Sequence, residues 1–173
     1  MDSHEVALLR NMASSMQEML DDRKSFAPTD PLEQITGIRT GNTEPPADGT
    51  LRRLLPDFVT PDHAASDPGG SNSALRSLHE PQIIDVKISA AQRLLDTLPG
   101  EDGRVDLSED DANAWIAAVN DVRLTLGTIL DIGPDTPERL PDEHPMAHHL
   151  DVYHWLTFLQ ECLVLGLMGK PIR

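Results

Sequence analysis

The stretch Ser108-Glu-Asp-Asp-Ala-Asn-Ala-Trp-Ile-Ala-Ala-Val-Asn-Asp-Val-Arg-Leu-Thr-Leu-Gly-Thr-Ile-Leu-Asp131 decides the reading of this chain. Ser108, followed three residues later by Asp111, has the pattern of a capping box. The hydroxyl accepts from the third helical amide while the carboxylate, shorter than the usual Glu, reaches back. Glu109, Asp110 and Asp111 also suit the positive end of a helix dipole. Behind this cap, Ala112, Trp115, Ile116, Val119, Val122, Leu126 and Ile129 recur at three- and four-residue spacing, which makes one apolar stripe along a helix. Gly133-Pro134 is expected to stop it. A capped helix with one buried face needs other helices to cover that face, and the segment is read as the centre of a mainly α domain.

Working outward, three further long segments carry helical periodicity. Near the start, Val6, Leu9, Met12, Ala13, Met16, Met19 and Leu20 form a stripe, with Ser3 as the expected N-cap and Asp21 to Lys24 as the end. Residues Phe26 to Gly49 hold four prolines and a short apolar patch at Leu32 to Ile38, which predicts loop with one brief helical turn. Thr50 to Leu55 predicts another turn, stopped by Pro56. From Pro56 to Asn72 the composition shifts to Pro, Asp, Gly, Ser and Ala, the pattern of a mobile loop. A short helix over Ser73 to Leu78 is expected to meet a kink or a new helix at Pro81. A long helix then places Ile84, Ile88, Ala91, Leu95 and Leu98 on one face and ends at Pro99-Gly100. Arg104 to Leu107 reads as a short extended piece, too small for a sheet of its own. A Pro-rich linker over Gly133 to Pro145 leads to the last helix, Met146 to Met168. Its second half is apolar on nearly every side, which predicts a central position. The expectation is one mainly α domain over residues 1–173, a bundle of about four long helices with short helical turns and at most a minor β element.

Composition narrows the function classes. Hydrophobic residues make up 39% and aromatic residues 3%, so the core is built from Leu, Val, Ile, Ala and Met, which suits helices. The 29 acidic against 14 basic residues give a formal net charge of -15. Arg52-Arg53 form an adjacent pair, and the basic residues are otherwise mostly scattered. Phosphate backbones are held by clustered Lys and Arg, so direct nucleic-acid binding is disfavoured and a basic protein partner fits better. A DNA-binding regulator would need a basic patch assembled by the fold. Arg52 and Arg53 are expected to be solvated, with a docking contact as the functional alternative. Cys162 is the only cysteine, which excludes a disulfide within the chain and a thiolate zinc cluster and fits a reducing, cytoplasmic compartment. The first residues lack the pattern of a signal peptide, and no stretch is long enough to span a bilayer.

Four constellations carry possible chemistry. Aligning Asp102 and Gly103 with the fifth and sixth positions of an EF-hand loop puts Asp106 and Glu109 at the ninth and twelfth. The first and third then fall on Leu98 and Gly100, which offer no carboxylate, so a turn and a cap are the better account. His144, His148, His149 and His154 cluster near the last helix, but Pro145 interrupts the spacing and no His-Glu-x-x-His pattern is present. A metal-dependent hydrolase using the His144 to His154 cluster is the alternative function that this cluster keeps open. Cys162 shares a face with Trp155 and Leu159 and is expected to be buried and slow to react, with Glu161 opposing thiolate formation; a redox role is the alternative. Asn120, Asp121 and Arg123 are read as hydrogen-bonding and ion-pairing residues that hold the central helix to its neighbours. No catalytic residue, cofactor motif or metal-ligand set is assigned, and no enzymatic activity is expected.

The stretches Leu51-Arg-Arg-Leu-Leu-Pro-Asp57, Leu75-Arg-Ser-Leu-His-Glu-Pro81, Ala91-Gln-Arg-Leu-Leu-Asp-Thr97, Glu109 to Leu124 and Leu150-Asp-Val-Tyr-His-Trp-Leu156 resemble the actinobacterial oxidative-stress regulator (AosR-like) family, long described only as a domain of unknown function. The likeness covers nearly the whole chain. It implies a regulator tied to cysteine-synthesis genes that acts by protein contact on a stress sigma factor, through a thiol switch. Two departures stand out. Members of the family carry extra residues before the first helix, and the switch needs two cysteines where this chain has Cys162 alone. An intermolecular disulfide, or regulation without thiol chemistry, stays open.

Overall fold

The computed structural model describes residues 1–27, 37, 39–59, 68–141 and 143–170. Among them every regular element is a helix: α1 (Ser3–Ser25), α2 (Gly49–Leu54), α3 (Pro68–Thr97), α4 (Glu109–Ile129) and α5 (Ala147–Leu167). The architecture is an all-α bundle, as the periodicity predicts. The brief turn expected at Leu32 to Ile38 lies almost wholly outside the described residues.

Helix α4 is the hub, packing against α1, α2, α3 and α5 in turn. Its capping box forms as the sequence predicts: the Asp111 amide donates to Ser108 Oγ at 3.2 Å, and the Ser108 amide donates to Asp111 Oδ2 at 3.1 Å. Ala112, Trp115, Ala118, Val119 and Val122 are buried. Ile129, placed by periodicity on the buried stripe, is instead 63% exposed, because it sits in the last turn at the mouth of a cleft between α1 and α2. The stop also comes earlier than Gly133-Pro134. Asp131 adopts a left-handed φ of 51°, and the amides of Asp131 and Ile132 donate to the carbonyls of Thr128 and Gly127. These two bonds close the helix with a Schellman motif.

At the other end of the chain Asp2, not Ser3, caps α1. Its carboxylate accepts from the Glu5 amide at 2.8 Å, and Glu5 Oε2 accepts from the Asp2 amide at 2.8 Å. A carboxylate at the cap with Glu three residues on satisfies two of the helix's orphan amides, which a cap at Ser3 would not do in this register. The buried side of α1 is Val6, Leu9, Ala13, Met16 and Leu20.

No new helix starts at Pro81: α3 runs through it for 30 residues, starting inside the loop expected over 56–72. A proline in a helix interior leaves the carbonyl four residues earlier without its donor. Here that carbonyl belongs to Ser77, and the Gly41 amide donates to it at 2.7 Å. The approach is possible only because Gly41 has no side chain: a Cβ there would lie 2.7 Å from Pro81 Cγ and 2.9 Å from Cδ.

The last helix is not central. Only Leu150, Val152 and Leu156 of α5 are buried, while Phe158 (55% exposed), Val164, Leu167 and Met168 face outward. Helix α5 lies on one side of α4, where the Tyr153 ring rests over Gly127 and the Arg123 guanidinium stacks on the same ring at 5.8 Å. It is tied to α1 by Trp155 Nε1, which donates to Glu5 Oε1 at 2.9 Å.

Candidate functional site

Two polar clusters brace the bundle from within. Arg76 and Glu80, each 1% exposed, form an ion pair at 2.7 Å one turn apart on α3. Asp57 takes the other Arg76 terminal nitrogen at 2.7 Å, and Arg23 of α1 binds the second Glu80 oxygen at 2.8 Å. Arg76 Nη1 also donates to the Leu55 carbonyl at 3.1 Å. Burying charges costs several kcal/mol per ion, and this cluster offsets part of that by sharing each charge among partners on three segments, while Arg76 Nε is buried without a hydrogen-bond partner among the described residues. The second cluster is the pair Lys87–Asp121 at 2.7 Å, joining α3 to α4. Burial raises the Asp121 carboxyl above its usual range, and Lys87 opposes that shift. With Arg123 donating to Gln160 at 2.7 Å, Asp121 and Arg123 do the structural work expected of them.

His148 stands beside His149 and His4, with ring centroids 6.1 and 6.5 Å apart. His144, His148, His149 and His154 are all exposed, and His144 Nδ1 accepts from the Met146 amide at 3.2 Å. Among the described residues, the acidic turn at Asp102 to Glu109 among them, no three His, Cys, Asp or Glu side chains stand close enough to hold a metal ion.

An open groove of about 720 Å³ lies between the loop after α3 and helix α5. Met1, Arg104, Val105 and Leu107 form one wall, and Leu159, Cys162, Leu163 and Leu167 of α5 form the other. Its floor is Ala112 and Trp115; the Trp115 ring is 1% exposed and its Nε1 donates to Thr97 Oγ1 at 2.7 Å. Cys162, expected to be enclosed, is half-buried on this wall. Helix α5 is peripheral, so its packed face gives way to solvent within one turn. Burial pushes the thiol up from its ordinary value of 9.0, and the neighbouring Glu161 carboxylate adds to the shift. Glu109 and Arg104 both line the groove, as does Met1, whose amine donates to the Gly103 carbonyl at 3.1 Å, and Arg104 is paired with the exposed Asp106 at 2.8 Å.

Arg52 and Arg53 stand elsewhere. Both are exposed on α2, with Arg52 Nε donating to the Pro46 carbonyl at 3.2 Å. The residues before and at the start of α2 meet the Val122 to Ile129 end of α4, whereas the groove lies at the Ser108 to Trp115 end. The fold does not bring the arginine pair to the cysteine. Among the described residues no helix is long and apolar enough to cross a membrane.

A family model described as a domain of unknown function, DUF2017, matches residues 1–167. The oxidative stress regulator AosR of Mycobacterium tuberculosis is 61% identical over 174 residues, which cover 96% of this chain and 80% of that protein. The protein of the same name in Mycobacterium bovis gives the same values. The Mycobacterium leprae counterpart is 59% identical over 173 residues with equal coverage. No solved structure matches the chain. With a family model spanning nearly its whole length and relatives of this identity, the chain belongs to the DUF2017 family, alongside the mycobacterial oxidative stress regulators.

Proposed function

We propose that this chain is a non-enzymatic, stress-linked transcriptional regulator of the cytoplasm that acts by protein contact. The observation that carries the reading is the open groove over Trp115 on a chain with a formal net charge of -15. A strong net charge favours association with a surface of the opposite sign, and the field speeds and orients the encounter. The names of the relatives add the stress context. The partner class is the transcription machinery, and a stress sigma factor is the member of it that the family resemblance implies. Arg52 and Arg53 are a second, smaller docking contact in this reading. With Cys162 as the one cysteine of the sequence, a disulfide through it joins two molecules.

The experiment is a pull-down with purified stress sigma factors at low and high salt, with and without hydrogen peroxide. Association that weakens as salt rises is the expected result. No association in either redox state sinks the sigma-factor reading.

A further inference from the structure

Three of the chain's six methionines stand at one cleft. Met12, Met16 and Met19, four and three residues apart on α1, line an opening of about 350 Å³ whose other sides are the start of α2 and the Val122 to Ile129 end of α4. Met12 and Met19 are half-buried there, within reach of a small solute, while Met16 is 1% exposed and belongs to the core. Asn11, Ser15 and Thr50 line the same cleft, and their side chains make no hydrogen bond with any described residue. A thioether leaves such donors unused, whereas a sulfoxide oxygen accepts from them. The thiol of Cys162 lies apart, on the α5 wall of the groove, and it reacts as a thiolate. A thioether sulfur reacts without ionising.

We propose that Met12 and Met19 are an oxidation site of this chain, converted by a peroxide-class oxidant to sulfoxides that loosen α1 from α4. In the step, a lone pair of Sδ attacks one oxygen of hydrogen peroxide, and the S–O bond forms as the O–O bond breaks. The proton of the transferred oxygen passes to the departing hydroxide, which leaves as water; sulfur gives up two electrons and the peroxide takes them. Each new oxygen is polar and stands where two apolar surfaces met. Its acceptor capacity is met by the donors of Asn11, Ser15 and Thr50, which draw the side chain away from Leu126 and Ile129 on the α4 wall. Ile129 is already 63% exposed, so little apolar cover holds that end closed. Met168, 57% exposed at the end of α5, is open to the same oxidant, but its sulfoxide stands in water and disturbs no packing. As the sensing element of a stress-linked regulator, the methionine pair rests on that reading of the chain and adds the groups that meet the oxidant.

The test treats the full chain, in a Cys162→Ser background, with hydrogen peroxide. Peptide mass spectrometry reads each methionine, and urea unfolding followed by circular dichroism reads the fold. Met12 and Met19 are expected to gain one oxygen each well before Met16, at a rate that does not change between mildly acidic and mildly alkaline pH. The urea midpoint is expected to fall by about 0.5–1 M, and methionine sulfoxide reductases are expected to restore it. Met12→Leu with Met19→Leu keeps the apolar volume and removes both sulfurs, and its midpoint should hold within about 0.2 M under the same peroxide. An unchanged midpoint with Met12 and Met19 fully oxidised overturns the proposal, and so does an equal fall in the leucine variant. A fall abolished by Met168→Leu assigns the effect to the end of α5 and also overturns it. A reversible fall in a protein that captures no sigma factor keeps the methionine site and removes the sigma-factor reading. Capture that answers to peroxide equally with and without the two sulfurs leaves the regulator standing and removes the sensing role of the methionines.

Discussion

Replacing Gly41 by alanine probes how α3 survives a proline at its middle. The new Cβ would stand 2.7 and 2.9 Å from the Cγ and Cδ of Pro81, against about 3.5 Å or more for carbon atoms in comfortable contact. The ring is fixed in the helix backbone and cannot rotate aside, so residue 41 has to retreat. That retreat stretches the 2.7 Å bond from its amide to the Ser77 carbonyl, the group that Pro81 leaves without a donor. Overpacking of this kind costs about 1–3 kcal/mol, and the weakened bond to a buried carbonyl adds about 1 kcal/mol. Gly41→Ala is therefore expected to destabilise the fold by about 2–4 kcal/mol. With an unfolding entropy of about 2 cal/mol/K per residue, that lowers the melting temperature by roughly 5–11 °C. The assay is urea unfolding followed by circular dichroism, repeated in a Pro81→Ala background. There the ring is gone and residue 81 can donate to Ser77 itself, so the same Gly41 substitution should cost less than about 1 kcal/mol. Equal costs in the two backgrounds, within about 0.5 kcal/mol, would refute the role given to the Gly41–Ser77–Pro81 contact.

The buried ion cluster and the thiol give two more expectations. Glu80→Ala leaves the 1% exposed Arg76 guanidinium with Asp57 as its one carboxylate partner and should cost about 3 kcal/mol or more in urea unfolding; a loss below about 1 kcal/mol contradicts the interior placement of this pair. Because burial and Glu161 raise the Cys162 pKa above 9.0, the reactive thiolate is scarce at neutral pH, and native-state alkylation should still be accelerating as pH passes 9.0. A rate already level near pH 8 means a thiol that ionises early and excludes the environment described for it.

The parts of this fold that could be read from sequence are those whose causes are local. The Ser108 box, the three acids behind it and the 3.6-residue stripe lie within one segment, and α4 forms as they indicate. The misplacement of the α1 cap by one residue is equally local: Asp2 and Glu5 carry the three-residue spacing of the box, and that spacing was the available signal. The continuity of α3 was hidden because its condition is Gly41, forty residues before Pro81. Arg76 and Glu80 show a legible four-residue spacing, yet nothing local says that the pair faces inward, since that depends on Arg23 and Asp57 arriving from elsewhere. Hydrophobicity alone misplaced α5, because an apolar helix can be covered by its own bundle or left partly open at a surface. Of the site, Cys162 was visible as the only cysteine; the groove was not, being made by three segments far apart in the chain.

The two indole rings give the molecule an optical consequence. The Trp155 indole, half-buried, donates to the Glu5 carboxylate, whereas Trp115 is enclosed and donates to the Thr97 hydroxyl. They are the only tryptophans in the chain, and they sample different polarities. With Trp155→Phe the emission comes from Trp115 alone, a native fluorophore built into the groove floor. Filling or emptying the groove then becomes visible as a spectral shift in unlabelled protein.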